Sequence, residues 1–318
     1  MTKNDLRIVF MGTPEFAVAS LDALVSRGYK VVGVVTMPDK PAGRGYKIQV
    51  SAVKTYALTH NLPILQPEKL KDDDFLEKLK ALKADLQIVV AFRMLPEVVW
   101  NMPPMGTFNL HGSLLPQYRG AAPINWAIIN GEKETGVTTF FLQHEIDTGD
   151  LILQKKMAIN HLDNAETIHD KLMVLGAQTV VETVDRIVDG TAPKMPQPMV
   201  GELKTAPKIF KETCKIDWNN DGETIYNFVR GLSPYPTAWS ELDSNNKPQI
   251  VKIYDVESEK SVHRFGIGKI ITDGKKELKV TCKDGFVAIK ELQLAGKKRM
   301  PIAEFLRGYK SDTVNQLL

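Results

Sequence analysis

Three short, continuous apolar runs near the start of the chain most constrain its fold. They occupy residues 6–11, 30–36 and 85–92. The first run ends at a Gly-Thr-Pro turn, after which apolar residues recur at helical spacing; Thr13 is the predicted N-cap and Pro14 the predicted first helical residue. Strands that are apolar throughout and alternate with helices are typical of a parallel sheet covered on both faces. The sequence therefore predicts a Rossmann-like α/β domain.

Further elements of this domain follow along the chain. Residues 108–110 and 136–142 have the pattern of two more strands, and a helix is predicted between them over residues 122–130. A longer amphipathic helix is predicted over residues 164–188, with Gly190 as its end. We therefore expect a first domain over residues 1–190, built on a mostly parallel sheet.

A proline-rich segment marks the passage to a second domain. Residues 191–207 contain four prolines and little periodicity, which predicts an interdomain linker. Beyond it, β-type segments are separated by turns such as Asp-Gly, over residues 247–256, 265–271, 278–281 and 286–294. Several short strands at this spacing are typical of a small antiparallel barrel. We expect an OB-like β-barrel domain over residues 208–318.

Composition and charge narrow the class of protein. No apolar stretch approaches the ~20 residues that a membrane span needs, and the first residues lack the pattern of a signal peptide, so we expect a cytoplasmic protein without membrane association. Cys214 and Cys282 have no second thiol or histidine at metal spacing, which predicts free thiols and no metal site. Residues 204–318 hold 20 Lys and Arg against 15 Asp and Glu, a net charge of +5. This mild basicity is compatible with a polyanionic partner such as RNA.

The strongest chemical signal is an Asn-Leu-His sequence followed by a turn. Asn109 and His111 are two positions apart, so on a strand their side chains leave the same face, about 6.6 Å apart. Gly112 and Pro116 interrupt the strand, which places the pair near a strand end, where open α/β sheets bind ligands. Asp147 follows the next apolar run. An amide, an imidazole and a carboxylate at one place supply a hydrogen-bond donor, a proton carrier and an orienting group, a combination that suits acyl transfer.

Two other glycine-containing turns bear on ligand class. The turn at Gly12 has only one of the three glycines of the dinucleotide fingerprint, and bulky residues follow it, which disfavours a nicotinamide or flavin nucleotide. The loop over residues 38–47 is not a Walker A sequence. It carries Arg44 between two glycines, with Lys40 and Lys47 nearby. Either it is a solvated basic turn, or it reaches the end of a nucleic acid, where arginine can bridge phosphates or stack on a base.

The chain resembles the formyltransferases that use 10-formyltetrahydrofolate. The resemblance rests on His-Gly-Ser-Leu-Leu-Pro-Gln-Tyr-Arg-Gly-Ala-Ala-Pro-Ile at residues 111–124, Thr-Gly-Val-Thr at 135–138 and Asp-Thr-Gly-Asp at 147–150. Within that superfamily, the members that formylate methionyl initiator tRNA are similar at three further stretches, residues 41–45, 216–218 and 230–236. The similarity extends over nearly the whole chain, from the Gly-Thr-Pro turn into the C-terminal domain.

The resemblance implies an enzyme and a mechanism. The formyl group of 10-formyltetrahydrofolate would pass to the α-amine of methionyl initiator tRNA, with a monomeric enzyme and no metal. Asn109 and His111 would stabilise the negative charge on the formyl oxygen, and Asp147 would orient His111, directly or through a water molecule.

The resemblance also implies ligand contacts. The residues expected at the folate are Phe92, Met94, Ser113, Leu114, Leu115 and Pro116, of which the leucines would pack on the ring system and the turn at Phe92 would contact the pterin. The residues expected at tRNA are Lys40, Arg44, Lys47 and Lys208. Arg93 is a departure, because relatives usually have a glycine there; a contact with the glutamate tail of the folate is one role that it could take.

Three other functions stay open at this point. A formyltransferase acting on glycinamide ribonucleotide or on an amino-sugar nucleotide would share the three catalytic residues but give no reason for the C-terminal domain. A formyltetrahydrofolate hydrolase would release formate without an acceptor. A catalytically silent RNA-binding protein could keep the fold, although the intact Asn-His-Asp set argues against it.

Overall fold

The computed structural model describes residues 5–42, 47–198, 201–244, 247–308 and 314–317. The strands are β1 (Arg7–Gly12), β2 (Lys30–Val35), β3 (Lys40–Ala42), β4 (Lys47–Gln49), β5 (Ile64–Leu65), β6 (Leu86–Val90), β7 (Thr107–His111), β8 (Arg119–Gly120), β9 (Glu134–Phe141), β10 (Leu151–Ala158), β11 (Thr205–Ala206), β12 (Ala238–Ser244), β13 (Lys247–Lys260), β14 (Ile270–Thr272), β15 (Leu278–Cys282), β16 (Gly285–Leu294), β17 (Met300–Pro301) and β18 (Val314–Leu317). The helices are α1 (Glu15–Ser26), α2 (Ala52–Thr59), α3 (Asp73–Ala81), α4 (Glu97–Trp100), α5 (Pro123–Ile129), α6 (Ala165–Val188), α7 (Gly222–Leu232), α8 (Ile302–Arg307) and a 3-10 turn at Glu212–Cys214.

The chain divides into two compact units. Unit 1 comprises residues 1–120, 135–157 and 169–205, and unit 2 comprises residues 121–134, 158–168 and 206–318.

The central sheet of unit 1 has the strand order β10-β9-β7-β6-β1-β2-β5. The pairs β2/β5, β1/β2, β1/β6 and β6/β7 are parallel, which confirms the predicted mostly parallel sheet. Strand β9 runs antiparallel to β7. Its direction could not be predicted from the apolar pattern, because β9 is buried along nearly its whole length, as a parallel strand would be.

Three strands of this sheet each carry a fully buried phenylalanine side chain. Phe10 on β1, Phe108 on β7 and Phe140 on β9 have no exposed surface. Burying a side chain of this size stabilises the fold by about 1.5–3 kcal/mol relative to leaving it in water. Strands β1, β7 and β9 therefore each contribute a fully buried aromatic side chain to the core of unit 1.

The predicted N-cap of α1 is wrong by one residue. Pro14 has an extended backbone (φ −80°, ψ 176°) and itself occupies the N-cap position, so the helix begins at Glu15. The carbonyl of Thr13 accepts a hydrogen bond from the Val53 amide at 3.4 Å. A residue before proline is disfavoured in the helical region, and here proline too lies outside the helix.

Unit 2 contains an antiparallel sheet of the order β14-β15-β16-β13-β12-β18, with β17 paired to β16. The amide of Leu317 on the last strand donates to the carbonyl of Gly268, just before β14, at 2.8 Å. This bond brings the two ends of the sheet together, as in a barrel. The antiparallel character predicted for the C-terminal domain is confirmed.

Helix α7 packs on this sheet and was not predicted from the sequence. Asp221 caps it by accepting from the Thr224 amide at 2.8 Å. Ile225, Val229 and Leu232 are buried at i, i+4 and i+7, which gives the helix one apolar face.

Most of the segment predicted to be a linker packs within unit 1. We call residues 191–198 and 201–205 the arm. Met195 and Leu151 exchange two backbone hydrogen bonds of 2.8 and 3.1 Å, and the Lys204 carbonyl accepts from the Tyr118 amide at 2.6 Å. The prolines interrupt regular structure over residues 191–198 but leave the other backbone groups there able to bond to neighbouring strands and loops. The last junction between the compact units falls between residues 205 and 206, and residues 121–134 and 158–168, which precede the arm, belong to unit 2.

Candidate active site

The candidate site lies at the carboxyl ends of neighbouring parallel strands. Gly12 at the end of β1 pairs with Val90 at the end of β6, and Val90 pairs with Leu110 on β7. The three strands thus finish side by side, and His111 is the last residue of β7. This edge is where open α/β sheets bind ligands.

Asn109 and His111 lie on the same side of β7, as their spacing predicts. Asn109 is half-buried, and within the described part of the chain its side-chain amide has no hydrogen-bond partner. His111 is 6% exposed and its Nε2 lies 2.8 Å from the Tyr118 carbonyl oxygen. Because a carbonyl only accepts, Nε2 must carry a proton and donate it to this bond. Nδ1 is therefore the ring nitrogen at which a proton can be gained or lost.

Asp147 faces that second nitrogen. Its Oδ2 lies 3.9 Å from His111 Nδ1 and accepts a hydrogen bond from the Gly120 amide at 3.0 Å. The separation of 3.9 Å is too long for a direct hydrogen bond, but at this distance a charged imidazole and a carboxylate attract each other. Both side chains are largely shielded from solvent, with 7% and 13% of their surface exposed. The structure thus brings together the three residues predicted to be catalytic.

The Ser-Leu-Leu-Pro turn after β7 is fixed by internal contacts. The Ser113 hydroxyl donates to the Gln117 carbonyl at 2.6 Å, and Leu115 is buried against Phe140 and Leu151. The peptide bond between Leu115 and Pro116 is cis. Leu114 is half-buried and keeps an accessible apolar surface. Of the two leucines predicted to contact the folate, only Leu114 has much surface left for a ligand.

The turn after β6 carries the other predicted folate contacts. Phe92 is partly buried against the core of unit 1, whereas Met94 is 74% exposed. Arg93 donates from its two terminal nitrogens to the Glu68 carbonyl, at 2.9 Å, and to the Pro67 carbonyl. Burial of this guanidinium lowers its pKa. Arg93 therefore ties the turn to a neighbouring loop and does not extend freely toward a ligand.

Comparison with known proteins decides the family. A family model described as "Formyl transferase" matches residues 6–184, and one described as "Formyl transferase, C-terminal domain" matches residues 208–310. A protein of Bacteroides fragilis named methionyl-tRNA formyltransferase is 62% identical over 313 residues, which cover 97% of each chain. A protein of the same name from Flavobacterium johnsoniae is 57% identical over 303 residues, 95% of this chain and 96% of that one. The chain belongs to the methionyl-tRNA formyltransferase family.

Solved structures share the fold at much lower identity. An N-formyltransferase from Helicobacter canadensis, in complex with folinic acid and dTDP-3-aminofucose, is 20% identical with a TM-score of 0.66, and the match covers 93% of this chain and all of that one. HypX from Aquifex aeolicus, solved with tetrahydrofolic acid, is 20% identical with a TM-score of 0.62, and the match covers 98% of this chain and 50% of HypX. At these identities the two structures support the fold alone.

Four basic residues are predicted from the sequence to contact tRNA: Lys40, Arg44, Lys47 and Lys208. In unit 1, Lys40 is exposed at the start of β3, and Lys47 begins β4, which pairs with β3. Arg44 lies outside the described residues. In unit 2, Lys208 is exposed, with its Nζ 5.4 Å from the centre of the Phe210 ring.

The structure adds cations that the sequence analysis missed. In unit 2, Lys211 and Lys215 lie 5.9 and 5.6 Å from the centre of the Trp239 ring. We call Lys208, Phe210, Lys211, Lys215 and Trp239 the lysine–aromatic surface. In the sequence, three lysines within eight residues were a visible sign of this surface. The Trp239 ring that two of them approach belongs to a strand more than twenty positions later, so its place beside them could not be seen.

Among the described residues, no group of three or more His, Cys, Asp or Glu side chains is arranged to hold a metal ion. In the same part of the chain, no helix combines the length and apolar character that crossing a membrane requires.

Proposed function

We propose that this chain transfers the formyl group of 10-formyltetrahydrofolate to the α-amino group of methionyl initiator tRNA. The family membership supports the reaction, since relatives of 54–62% identity that bear the name match the chain over nearly its full length. The observation that carries the proposal is the Asn109 amide, half-buried and without a described partner, on the same strand face as His111.

The role of Asn109 follows from the charge that develops during formyl transfer. Attack by an amine on a formyl carbon places negative charge on the formyl oxygen, and a fixed N–H donor stabilises that charge more than it stabilises the neutral carbonyl. The Asn109 amide needs to break no bond within the described chain to donate. Loss of such a donor typically slows the reaction by about 10²–10³-fold.

His111 and Asp147 handle the proton. Because His111 Nε2 remains bonded to the Tyr118 carbonyl, we assign proton transfer to Nδ1, which faces the carboxylate of Asp147. A water molecule, or a small approach of the two side chains, can complete a hydrogen bond between Asp147 and His111 across the 3.9 Å gap. The neutral amine attacks, and once the new C–N bond has formed its nitrogen is positively charged and must lose a proton. The departing nitrogen of the folate must gain one, so a single reversible carrier serves both steps.

The surroundings of the site fit a folate. When bound, the folate supplies the formyl group. Phe92, Met94 and Leu114 offer apolar surface on the two turns that follow β6 and β7. The amide of Asn109, which has no partner in the described part of the chain, lies on β7 two residues before that strand ends. We propose that Ser113 and Leu115 shape the turn after β7, and that Pro116 lines the folate site beside Leu114.

The basic residues support an RNA acceptor. Lysines near aromatic rings that are at least partly accessible combine phosphate neutralisation with surfaces on which bases can stack. The lysine–aromatic surface of unit 2 has this composition, and Lys40, Arg44 and Lys47 concentrate positive charge in one loop region of unit 1. We propose that tRNA contacts both sets, with a monomeric enzyme acting in the cytoplasm.

The test is transfer of labelled formyl from 10-formyltetrahydrofolate by the full-length chain. The acceptors are methionyl initiator tRNA, methionyl elongator tRNA, glycinamide ribonucleotide and a dTDP-linked amino sugar, with formate release measured in parallel. We expect transfer to the initiator tRNA alone. Transfer to a nucleotide acceptor, or release of formate without an acceptor, would reassign the substrate and refute the proposal.

A further inference from the structure

The loop that carries Asp147 is held by one side chain of the arm. We call residues 147–150 the Asp147 loop. Gln197 donates from Nε2 to the carbonyl of Asp147 at 2.8 Å and to the carbonyl of Gly149 at 2.9 Å. Gln197 is 9% exposed, so water does not readily substitute for these bonds. The amide thus bridges the two ends of a single turn.

The conformation of the Asp147 loop requires such support. Asp147 has a positive φ of 55°, a backbone conformation that residues with a side chain adopt uncommonly. Gly149 packs so closely on β9 that an added Cβ would lie 1.7 Å from the Phe141 carbonyl oxygen. The position of the loop therefore depends on contacts from outside it.

A second residue fixes the orientation of Gln197. Arg119 donates to Gln197 Oε1 from Nη2 at 2.6 Å and from Nε at 3.2 Å. An arginine cannot accept, so the oxygen end of the amide must face Arg119 and the NH₂ end must face the Asp147 loop. The next residue, Gly120, holds the Asp147 carboxylate through its amide. Two consecutive residues therefore hold Asp147: Arg119 holds its backbone through Gln197, and Gly120 holds its carboxylate directly.

We propose that Gln197 is a positioning residue that sets the Asp147 carboxylate against His111 Nδ1. It touches neither substrate nor reacting atoms and acts through Asp147 alone. This role rests on the proposed formyl transfer. Displacements of about 1 Å in a catalytic group can cost about 10²-fold in rate, which gives the scale of the effect.

The first test replaces Gln197 by methionine, which has similar length and no hydrogen bonds to offer. We expect kcat to fall by about 10- to 100-fold, with the KM for folate and for tRNA changed by less than about twofold. Gln197→Glu keeps an acceptor for Arg119 but places a carboxylate oxygen against the carbonyl oxygens of Asp147 and Gly149, which it cannot donate to. Its kcat should therefore fall as far as that of Gln197→Met. Arg119→Lys keeps one donor and should retain more activity than Arg119→Met. If Gln197→Met fails to fold, the Glu and Lys variants decide.

A matched control exists in unit 2. Gln293 donates to the Lys297 carbonyl at 2.8 Å and accepts from the Tyr254 hydroxyl at 2.7 Å, so it also joins a backbone carbonyl to a side chain. Gln293→Met should leave kcat unchanged. Equal losses in both variants would mean that any such glutamine affects the whole fold, and would refute a specific role for Gln197.

A double-mutant cycle with Asp147→Asn separates positioning from general support. If Gln197 acts through the Asp147 carboxylate, adding Gln197→Met to Asp147→Asn should slow transfer by less than about twofold further. Independent multiplication of the two losses would overturn the proposal.

A readout without catalysis distinguishes this inference from the function on which it rests. In the full-length protein labelled with 15N-histidine, the His111 ring signals can be assigned by their loss in His111→Gln. Gln197→Met should shift the His111 Nδ1 signal and Gln293→Met should not. Wild-type inactivity on tRNA with this shift present would refute the acceptor and keep the positioning role. An unchanged signal would refute the positioning role, whatever the acceptor.

Discussion

Replacing Arg93 tests how the turn after β6 is held. Its two terminal nitrogens donate to the carbonyls of Pro67 and Glu68, and its guanidinium lies 5.6 Å from the centre of the Phe92 ring. Hydrogen bonds from charged groups contribute about 1.5–3 kcal/mol each, and partial exposure places these two at the lower end. The Nε is buried without a partner in the described part of the chain, which offsets part of the gain. We therefore expect Arg93→Ala to cost about 2 kcal/mol.

The assay is thermal unfolding combined with folate kinetics. A loss of about 2 kcal/mol should lower the melting temperature of a unit of this size by roughly 4–8 °C. The turn also presents Phe92 and Met94, so the KM for folate should rise several-fold while tRNA kinetics stay unchanged. Arg93→Lys keeps the charge but cannot reach both carbonyls from one planar group, so it should lose about half as much. The exposed Arg27, replaced by alanine, is the control.

A melting temperature of Arg93→Ala within about 1 °C of the wild type would refute the reasoning. It would mean that water replaces both bonds at no cost. A lower melting temperature with an unchanged KM for folate would keep the structural role of Arg93 and remove this turn from the proposed folate site.

Three further predictions concern other parts of the chain. The hydrogen bond from the Thr224 amide lowers the pKa of Asp221. The cap therefore stabilises α7 fully above the unfolded pKa of about 3.9, and this stabilisation is lost as the pH falls through the lower pKa of the folded state. Asp221→Ala should cost about 1 kcal/mol in urea unfolding at pH 7, a difference that shrinks below about pH 4. Burial raises the pKa of the thiols of Cys214 and Cys282, so both should react with a thiol reagent at pH 8 only as the protein unfolds, and rapid labelling of the native protein would contradict this. Arg44→Ala should raise the KM for tRNA without affecting the KM for folate. The rise should be smaller at high salt, because the variant neutralises one phosphate fewer than the wild type. Unchanged tRNA kinetics would remove Arg44 from the proposed tRNA contacts.

The sheet and the placement of Asn109 and His111 on one strand face could be predicted because both depend on local patterns. The runs at residues 6–11 and 85–92 are apolar at nearly every position, which only a strand buried on both faces requires at that length. The placement of Asn109 and His111 on one face follows from the two-residue repeat of any strand, and their position at its end follows from the turn at Gly112.

The contacts that complete the site could not be predicted. Gln197 lies between two prolines in a segment without periodicity, and its partners are separated from it by about fifty and eighty positions, so no local pattern connects them. Leu114 and Leu115 are adjacent in an irregular turn, where no repeat indicates which side chain enters the core. Arg93 bonds to carbonyls, which every residue has, so its partners leave no mark in the sequence.

The most direct measurement for the central claim is single-turnover formyl transfer to methionyl initiator tRNA by wild type, Asn109→Ala and Asn109→Asp. The aspartate keeps the size of the side chain but loses its N–H donor, and the exposed Asn101, replaced by alanine, is the control. If the Asn109 amide stabilises the developing oxyanion, both variants bind folate normally and transfer about 10²–10³-fold more slowly than the wild type and the control. Transfer by folded Asn109→Ala at a rate close to that of the wild type would contradict the proposed site.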